Sequence, residues 1–559
     1  MNTRDSQPPH GRIRPISLPF LFVILIWAVF ILPSSFHPNW SYLDDPANLY
    51  VAKSVASNLR FPSPDPASGR YFPFYYVYYG LLFKLFEYKL YGYYIVQSMM
   101  FLLISLMIYS IIFNHTGKIS SGIFGAFLFI TASPVAENAY TLGKAEPKIL
   151  FYLLCSVWIF RFLISNDRYK RKINRLLSWV AIAILVFVAI LTKETAVVII
   201  IFAFTGVGIA FLLQKKGHTL YKNDVTAYLL LLLTSVFSAV MARALFFAVR
   251  PAGASSSYTT YRVTLPVILY NLKFYVGQQP DVLLLGLISG VLLGALYKEA
   301  NEFNAKRFVF GSAICLTGWA YIFGQLIWRW PTGYYLLVPS ALFPIVVGIT
   351  ACSRVSLESK KVRNIVFASI ILMCFTRIHS IPYFWFIAHA QKAEDKIYSE
   401  AVENYMRMAK PGERLLIEQW LPSDEPIVQS NILIKELFGK KQLNVDGVRD
   451  IVSNTVVAPD ALKHRNVREI PGQTNRFPEK NDYILTFTGD RRTPWALRAV
   501  SPFVNEKESA FKTLGMPVEK IIDKEIRWRG LQTQFPLIGA EFKEFSAGYK
   551  LYKVGDPAY

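Results

Sequence analysis

Eleven apolar runs, near residues 16–33, 91–113, 119–134, 147–165, 176–192, 195–213, 225–249, 281–297, 308–328, 333–351 and 364–388, constrain this chain more than any other feature. Each is long enough, several only just, to cross the ~30 Å of hydrocarbon in a bilayer. Lipid offers no water to backbone amides, so such runs must close their hydrogen bonds internally and are expected as helices. With 53% apolar and 15% aromatic residues, the 559-residue chain carries far more apolar sequence than one soluble core uses.

The net charge of +22 is unevenly spread. Residues 1–388 hold 34 Lys and Arg against 14 Asp and Glu, while the remainder is nearly balanced at 26 against 24. The excess gathers in RYKRKINR (168–175), QKKGHTLYKND (214–224), YKEANEFNAKR (297–307) and CSRVSLESKKVR (352–363). With the amino terminus in the cytoplasm, all four fall on the cytoplasmic side, which is the positive-inside bias and not a nucleic-acid surface. Eleven spans then leave the carboxyl end outside. The first run follows Arg4, Arg12 and Arg14 but lacks a small-residue cleavage site, so it is expected to be a retained span. Four scattered cysteines without a CxxC give neither a zinc site nor a disulfide framework.

The chain divides in two: a transmembrane region, 1–388, whose outer loop 34–90 carries juxtamembrane helices, and a soluble extracytoplasmic α/β domain, 389–559. Past residue 389 charge density rises and turn signals such as KPGE, LPSDEP and FTGD appear. RLLIEQW (414–420), DYILTFTG (482–489) and GYKLYKV (548–554) read as strands, and SNILIKELFGK (430–440) has helical spacing.

Candidate chemistry lies at the outer ends of the spans. Asp44 and Asp45 follow the first span and open DDPANLYVAKSVASNL, whose apolar residues recur at helical intervals. YFPFYYVYYGLLFKLF ends the same loop as an aromatic amphipathic run suited to the headgroup region. An Asp at this depth can accept a proton from an acceptor alcohol, or it can simply cap the following helix. Glu146 stands in the short loop ENAYTLGKAEP, which also holds Glu137 and Lys144, immediately before Pro147 starts the next span. A carboxylate so near hydrocarbon needs partners or a task, and pairing with Lys144 or Lys148 is the structural alternative.

Cations share that side. In LTKETAVV, Lys193 and Glu194 alone separate two apolar runs, so the spans turn sharply around them, and a Lys there suits phosphate as a point charge. Arg329 sits between Trp328 and Trp330, placed either to fork onto phosphate or to snorkel at the interface. Arg250 and Arg262 flank GASSSYTTY, either a gating segment or a solvated linker, and Arg243 and Arg377 fall inside spans with no assignable role. No HExxH, P-loop or GxSxG stands where it could act, and the seven histidines do not cluster. No motif requires a cofactor. Metal ligation by Asp44, Asp45 or Glu146 is compatible with the spacing but not demanded by it.

The order of four short motifs resembles the GT-C superfamily of integral-membrane glycosyltransferases, particularly the aminoarabinose transferases of lipid A and the protein O-mannosyltransferases. They are the acidic pair Asp44-Asp45, the segment Phe72-Pro73-Phe74-Tyr75-Tyr76, Glu146 before the fourth span, and GYYLLVP (333–339). The resemblance implies a polytopic helical fold of about eleven spans with a carboxyl-terminal α/β domain. It implies an inverting transfer from a polyprenyl-phosphate-linked sugar to a hydroxyl on a lipid, polysaccharide or protein at the extracytoplasmic face of a bacterial inner membrane. Asp44 takes the base role by order, with Asp45 where the aminoarabinose group commonly has Glu, and Glu146 is a third catalytic candidate. Lys193, Arg329 and Arg262 are the expected donor-phosphate residues, and Tyr75, Tyr76, Glu194, Tyr334 and Tyr335 are expected to line the cavity. A secondary transporter or flippase and a glycan ligase or polymerase are the competing readings.

Overall fold

The computed structural model describes residues 17–41, 45–58, 71–165, 172–215, 221–249, 264–298, 302–327, 332–351, 360–419, 425–449, 479–488, 517–531 and 542–556. The helices in chain order are α1 (Ser17–Phe30), α2 (Asp45–Asn58), α3 (Pro73–Phe86), α4 (Leu90–Thr116), α5 (Ile119–Ile130), α6 (Ser133–Ala139), α7 (Glu146–Ser165) and α8 (Lys172–Thr192). They continue as α9 (Val198–Lys215), α10 (Tyr221–Val249), α11 (Leu265–Gln278), α12 (Pro280–Lys298), α13 (Glu302–Leu326), α14 (Leu337–Ala351), α15 (Lys360–Met408) and α16 (Glu425–Asn431). All eleven expected apolar runs are helical. Among the described residues, nine helices are individually long and apolar enough to cross a membrane, or ten when α5 and α6, bent by 63°, count as one. The shorter apolar segment Pro19–Phe30 is the eleventh. The chain is an integral membrane protein.

Burial follows composition. The segment Gly333–Ala351 has no polar stripe, and 94% of its apolar window is enclosed, so α14 forms the centre of the bundle. Between lipid-facing helices the contact is made by shape rather than by the hydrophobic effect. A β-carbon on Gly125 of α5 would lie 2.1 Å from Ile112 Cδ1 of α4 and 3.3 Å from the Pro344 carbonyl of α14, so glycine lets these three helices approach closely without displacing Ile112.

The ends of α7, α9, α12 and α14, which lead in the sequence into the four Lys- and Arg-rich stretches, make one end of the bundle. The starts of α6, α7, α12 and α14 make the other, where Glu146 of α7 pairs with Lys193 and Ser133 of α6 reaches Asp281 of α12.

At that second end stands the carboxyl-terminal sheet, ordered β2-β1-β3-β5-β4, from β1 (Arg414–Gln419), β2 (Asn444–Arg449), β3 (Tyr483–Thr488), β4 (Val518–Leu531) and β5 (Phe542–Val554). β1 pairs parallel with β2 and β3, whereas β5 runs antiparallel to β3 and β4. The three strand patterns read from the sequence are β1, β3 and the end of β5. β2 and β4 are additional, and β4 interleaves charges with apolar residues because one of its faces is open. Arg414 clamps β1 to the turn before β3 with two bonds to Asp482, at 3.0 and 2.7 Å.

α15 is one helix of 49 residues, about 74 Å at 1.5 Å per residue, and it runs unbroken through the change in composition at 389. Its last turns bury Tyr398 and Tyr405 against Leu415, Tyr483 and Tyr549 of the sheet. Lower down, Phe386 meets Phe545 of β5 at 4.7 Å between ring centroids. α2 joins the same assembly: Ala47 donates its amide to Gln429 Oε1 at 3.0 Å, and Trp40 donates to Ser399 Oγ of α15 at 2.7 Å.

Candidate active site

Four helical starts at the sheet-side end carry an acid in the first turn: Asp45 of α2, Glu146 of α7, Asp281 of α12 and Glu194 of the 3-10 turn Glu194–Val197 that leads into α9. Unpaired amides give each start a partial positive charge, so a carboxylate there gains about 0.3–1 kcal/mol. Pro46, Pro147 and Pro280 stand within one residue of their acids, fixing φ where no amide donor is needed. Local sequence therefore puts acids at helix starts, and tertiary packing brings the starts together.

Glu146 is fully buried and forms an ion pair with Lys193, which the α8–α9 turn delivers from 47 residues away. The remaining Glu146 oxygen, Oε2, accepts no hydrogen bond among the described residues. Lys193 is also capped by the ring face of Tyr335, 4.4 Å from its Nζ, and lies 5.9 Å from that of Tyr334. Lys144 approaches Tyr334 at 4.5 Å. The GYY segment thus sits between two lysines as an aromatic wall, an attraction of electrostatic origin. Burial, the largest influence on Lys193, opposes its charge, yet Glu146, Tyr335 and Glu194 outweigh it and hold its pKa above the usual 10.5.

Asp45 is buried in the first turn of α2. Its carboxylate lies 3.4 Å from the Ser41 amide. Asp45 and Glu146 both lie within electrostatic reach of Lys148, one helical turn into α7, and Asp45 also faces Asp395 of α15. Lys148 is 1% exposed and donates to Tyr79 Oη at 2.8 Å, to the Lys144 carbonyl at 2.8 Å and to the Leu142 carbonyl at 3.2 Å. Its ammonium also stands over the rings of Tyr79 and Tyr78, at 4.7 and 5.2 Å. Tyr79 donates in turn to the Leu142 carbonyl, and Tyr75 donates to Gly143 O at 3.0 Å. Burial and then Tyr78 push the Tyr79 phenol well above its ordinary value, so it remains a donor. Tyr75, Tyr79 and Lys148 therefore lock the 142–144 carbonyls, and Gln97 of α4 adds bonds to the carbonyls of Asn138 (2.8 Å) and Thr141 (2.6 Å).

Beside Lys193 opens an apolar groove of about 320 Å³ between the start of α9 and α13. Val197, Val198 and Ile201 form one wall, Ala320, Tyr321 and Gly324 the other, and Lys193, Glu194 and Tyr335 stand at its head. A cation at the mouth of an apolar cleft matches a ligand with a phosphate head and a hydrocarbon tail.

The structure brings together Asp45, Glu146, Lys193, Glu194, Tyr75, Tyr334 and Tyr335. Tyr76 packs edge-on against Tyr75 at 5.2 Å, one step further from the lysines. Asp44, Arg262 and Arg329 lie outside the described residues, as does Arg250. Arg243 stacks on Phe246 and Phe247 of its own helix, at 4.8 and 4.5 Å. Among the described residues no three His, Cys, Asp or Glu side chains are grouped to hold a metal ion. Sequence reasoning missed Lys148 except as an ion-pair candidate for Glu146, and missed Asp281 and Asp395 entirely. Asp281 shows the same proline-and-acid pattern as Asp45 and Glu146 and was findable, whereas Asp395 lies mid-helix with no local signal.

A polytopic bundle whose acid-tipped helix starts and lysines meet beneath a carboxyl-terminal sheet defines the class: an integral membrane protein whose fold is like that of GT-C neighbours. Among solved structures, the chain is similar to the aminoarabinose transferase ArnT from Cupriavidus metallidurans bound to undecaprenyl phosphate, with a TM-score of 0.50 and 12% identity, over 94% of this chain and 97% of that one. The apo form of that protein gives 0.49 at 12% identity over the same shares. The apo oligosaccharyltransferase of Archaeoglobus fulgidus gives 0.46 at 12% identity over 76% of this chain, which spans 64% of that protein's length. No protein-family model matches the chain, and no curated protein matches it in sequence.

Proposed function

We propose that the protein is an inverting glycosyltransferase that moves a sugar from a polyprenyl-phosphate carrier to an acceptor hydroxyl at the extracytoplasmic face of the membrane. The observation that carries this reading is the half-buried Lys193 at the head of an apolar groove, beside the carboxylates of Glu146 and Glu194. An isoprenoid tail fits the groove and its phosphate fits the cation. The ArnT structure of the same fold was solved with undecaprenyl phosphate, which supports the donor class. The Lys- and Arg-rich stretches follow the ends of α7, α9, α12 and α14 in the sequence, away from the site, which supports an extracytoplasmic site.

In the proposed step the acceptor oxygen attacks the anomeric carbon, the bond from that carbon to the phosphate oxygen breaks, and the acceptor proton passes to Asp44. Lys193, with Arg329 and Arg262, stabilises the charge on the departing polyprenyl phosphate. Asp45 and Glu146 orient the sugar or the acceptor, and the aromatic wall of Tyr334 and Tyr335 fixes the lysines. The donor is a phosphodiester anion that departs as a polyprenyl phosphate monoester with one more negative charge, so positioned cations lower the barrier without a nucleotide fold. Conversion of Asp44 to Asn keeps the size and removes the basicity. With a lipid-linked sugar and purified protein, undiminished transfer would reject Asp44 as the base. Substrate counterflow without a new glycosidic bond would favour a transporter, and many sugars added per acceptor would favour a glycan ligase.

A further inference from the structure

A second buried polar cluster lies behind the site and has no part in the step above. Arg377 of α15 is 4% exposed. Its Nη1 donates to the Thr131 carbonyl at 3.2 Å and to Ser380 Oγ at 3.3 Å, and it faces Asp281 Oδ2 at 3.4 Å. Its Nε and Nη2 are buried and make no hydrogen bond among the described residues, so this guanidinium is held by one edge only.

From Asp281 the contacts continue without a gap. Ser133 Oγ of α6 reaches Asp281 Oδ1 at 3.3 Å and donates to Gln279 Oε1. Gln279 Nε2 donates to Glu137 Oε1 at 3.2 Å. That oxygen lies where a β-carbon on Gly333 would be, 2.0 Å from it, with Gln279 Nε2 at 2.3 Å. The chain therefore ends against the backbone of the 3-10 turn Gly333–Leu336, which carries Tyr334 and Tyr335. Asn138, next to Glu137, donates to the Tyr334 carbonyl at 3.0 Å and pins the turn from the same helix.

We propose that Arg377 is a positioning residue for the lipid-phosphate site: through Asp281, Ser133, Gln279 and Glu137 it fixes the seat of the Gly333–Leu336 turn and hence the tyrosine wall that holds Lys193. Each link is a buried polar contact, so displacing one strips a partner from the next and the series moves as a unit. Glycine at 333 transmits the shift directly, because no side chain stands between the carboxylate and the turn. This inference rests on Lys193 being the donor-phosphate cation.

The test measures undecaprenyl phosphate binding to the full-length protein in lipid nanodiscs, with thermal unfolding as the control for folding. Lys193→Ala, the double variant Arg377→Met with Asp281→Asn, and Ser133→Ala are compared. The double variant removes the ion pair as a unit and leaves no lone buried charge. Ser133→Ala cuts the series at its middle by one hydroxyl, which keeps the test decisive if the double variant does not fold. Binding weakened by about 2- to 30-fold in the folded relay variants, the range for contacts that act through a network, is the expected result. If Lys193→Ala loses binding while the folded relay variants bind as the unaltered protein does, this inference is overturned and the donor reading stands. If Lys193→Ala itself binds normally, the donor reading and this inference fall together.

Discussion

Replacing Lys193 with methionine keeps the apolar stem and removes the charge that faces Glu146. Glu146 is fully buried and its side chain is 1% exposed, so the variant leaves a carboxylate in the bundle without its counter-ion. Breaking a buried pair in this way costs about 3–5 kcal/mol, and the 12% exposure of the Lys193 side chain puts this site near the lower figure. Function carries a separate loss. A charge-assisted hydrogen bond to a donor phosphate is worth about 1.5–3 kcal/mol, roughly 10- to 150-fold in the KM for the lipid-linked sugar. Support of the departing phosphate in the transition state adds about 100- to 1000-fold in kcat. Pairing Lys193→Met with Glu146→Gln separates the two losses, because the double variant has no orphaned charge and should unfold within about 1 kcal/mol of the unaltered protein. Its transfer rate should stay far below that of Glu146→Gln alone, measured from a polyprenyl-phosphate sugar in nanodiscs. Equal rates and equal donor KM in those two variants would show that Lys193 serves only to neutralise Glu146, and the phosphate assignment would be wrong.

Gly333→Ala places a methyl group 2.0 Å from Glu137 Oε1, and this overpacking should lower stability by about 1–3 kcal/mol in thermal unfolding and raise the donor KM. Donor binding should be flat from about pH 7 to pH 9, because the Lys193 pKa is raised: its charge is complete below 10.5 and is lost only as pH climbs through the higher folded value. A progressive loss of binding across that interval would contradict the ion-pair geometry. Phe545→Ala removes a ring packed 4.7 Å from Phe386 and 6.2 Å from Trp528, and should cost about 3–5 kcal/mol, read as faster proteolysis of the carboxyl-terminal sheet.

What could be read from the chain alone follows from interactions that are local. A bilayer forces each apolar run to satisfy its own amides, so all eleven helices were legible, and helical spacing and the aromatic run marked α2 and α3. Acids beside helix-starting prolines likewise announced Asp45 and Glu146, since the first turn favours a negative charge whatever surrounds it. Partners were not legible. Glu146 meets Lys193 across 47 residues, Asp281 meets Arg377 across 96, and Trp40 meets Ser399 of α15 across 359. The sheet order β2-β1-β3-β5-β4, the groove beneath α13 and the seat of Gly333 are of the same kind. Each depends on which helix faces which, a choice made by packing shape and by the cost of leaving a buried charge alone, and neither is written in any one stretch of residues.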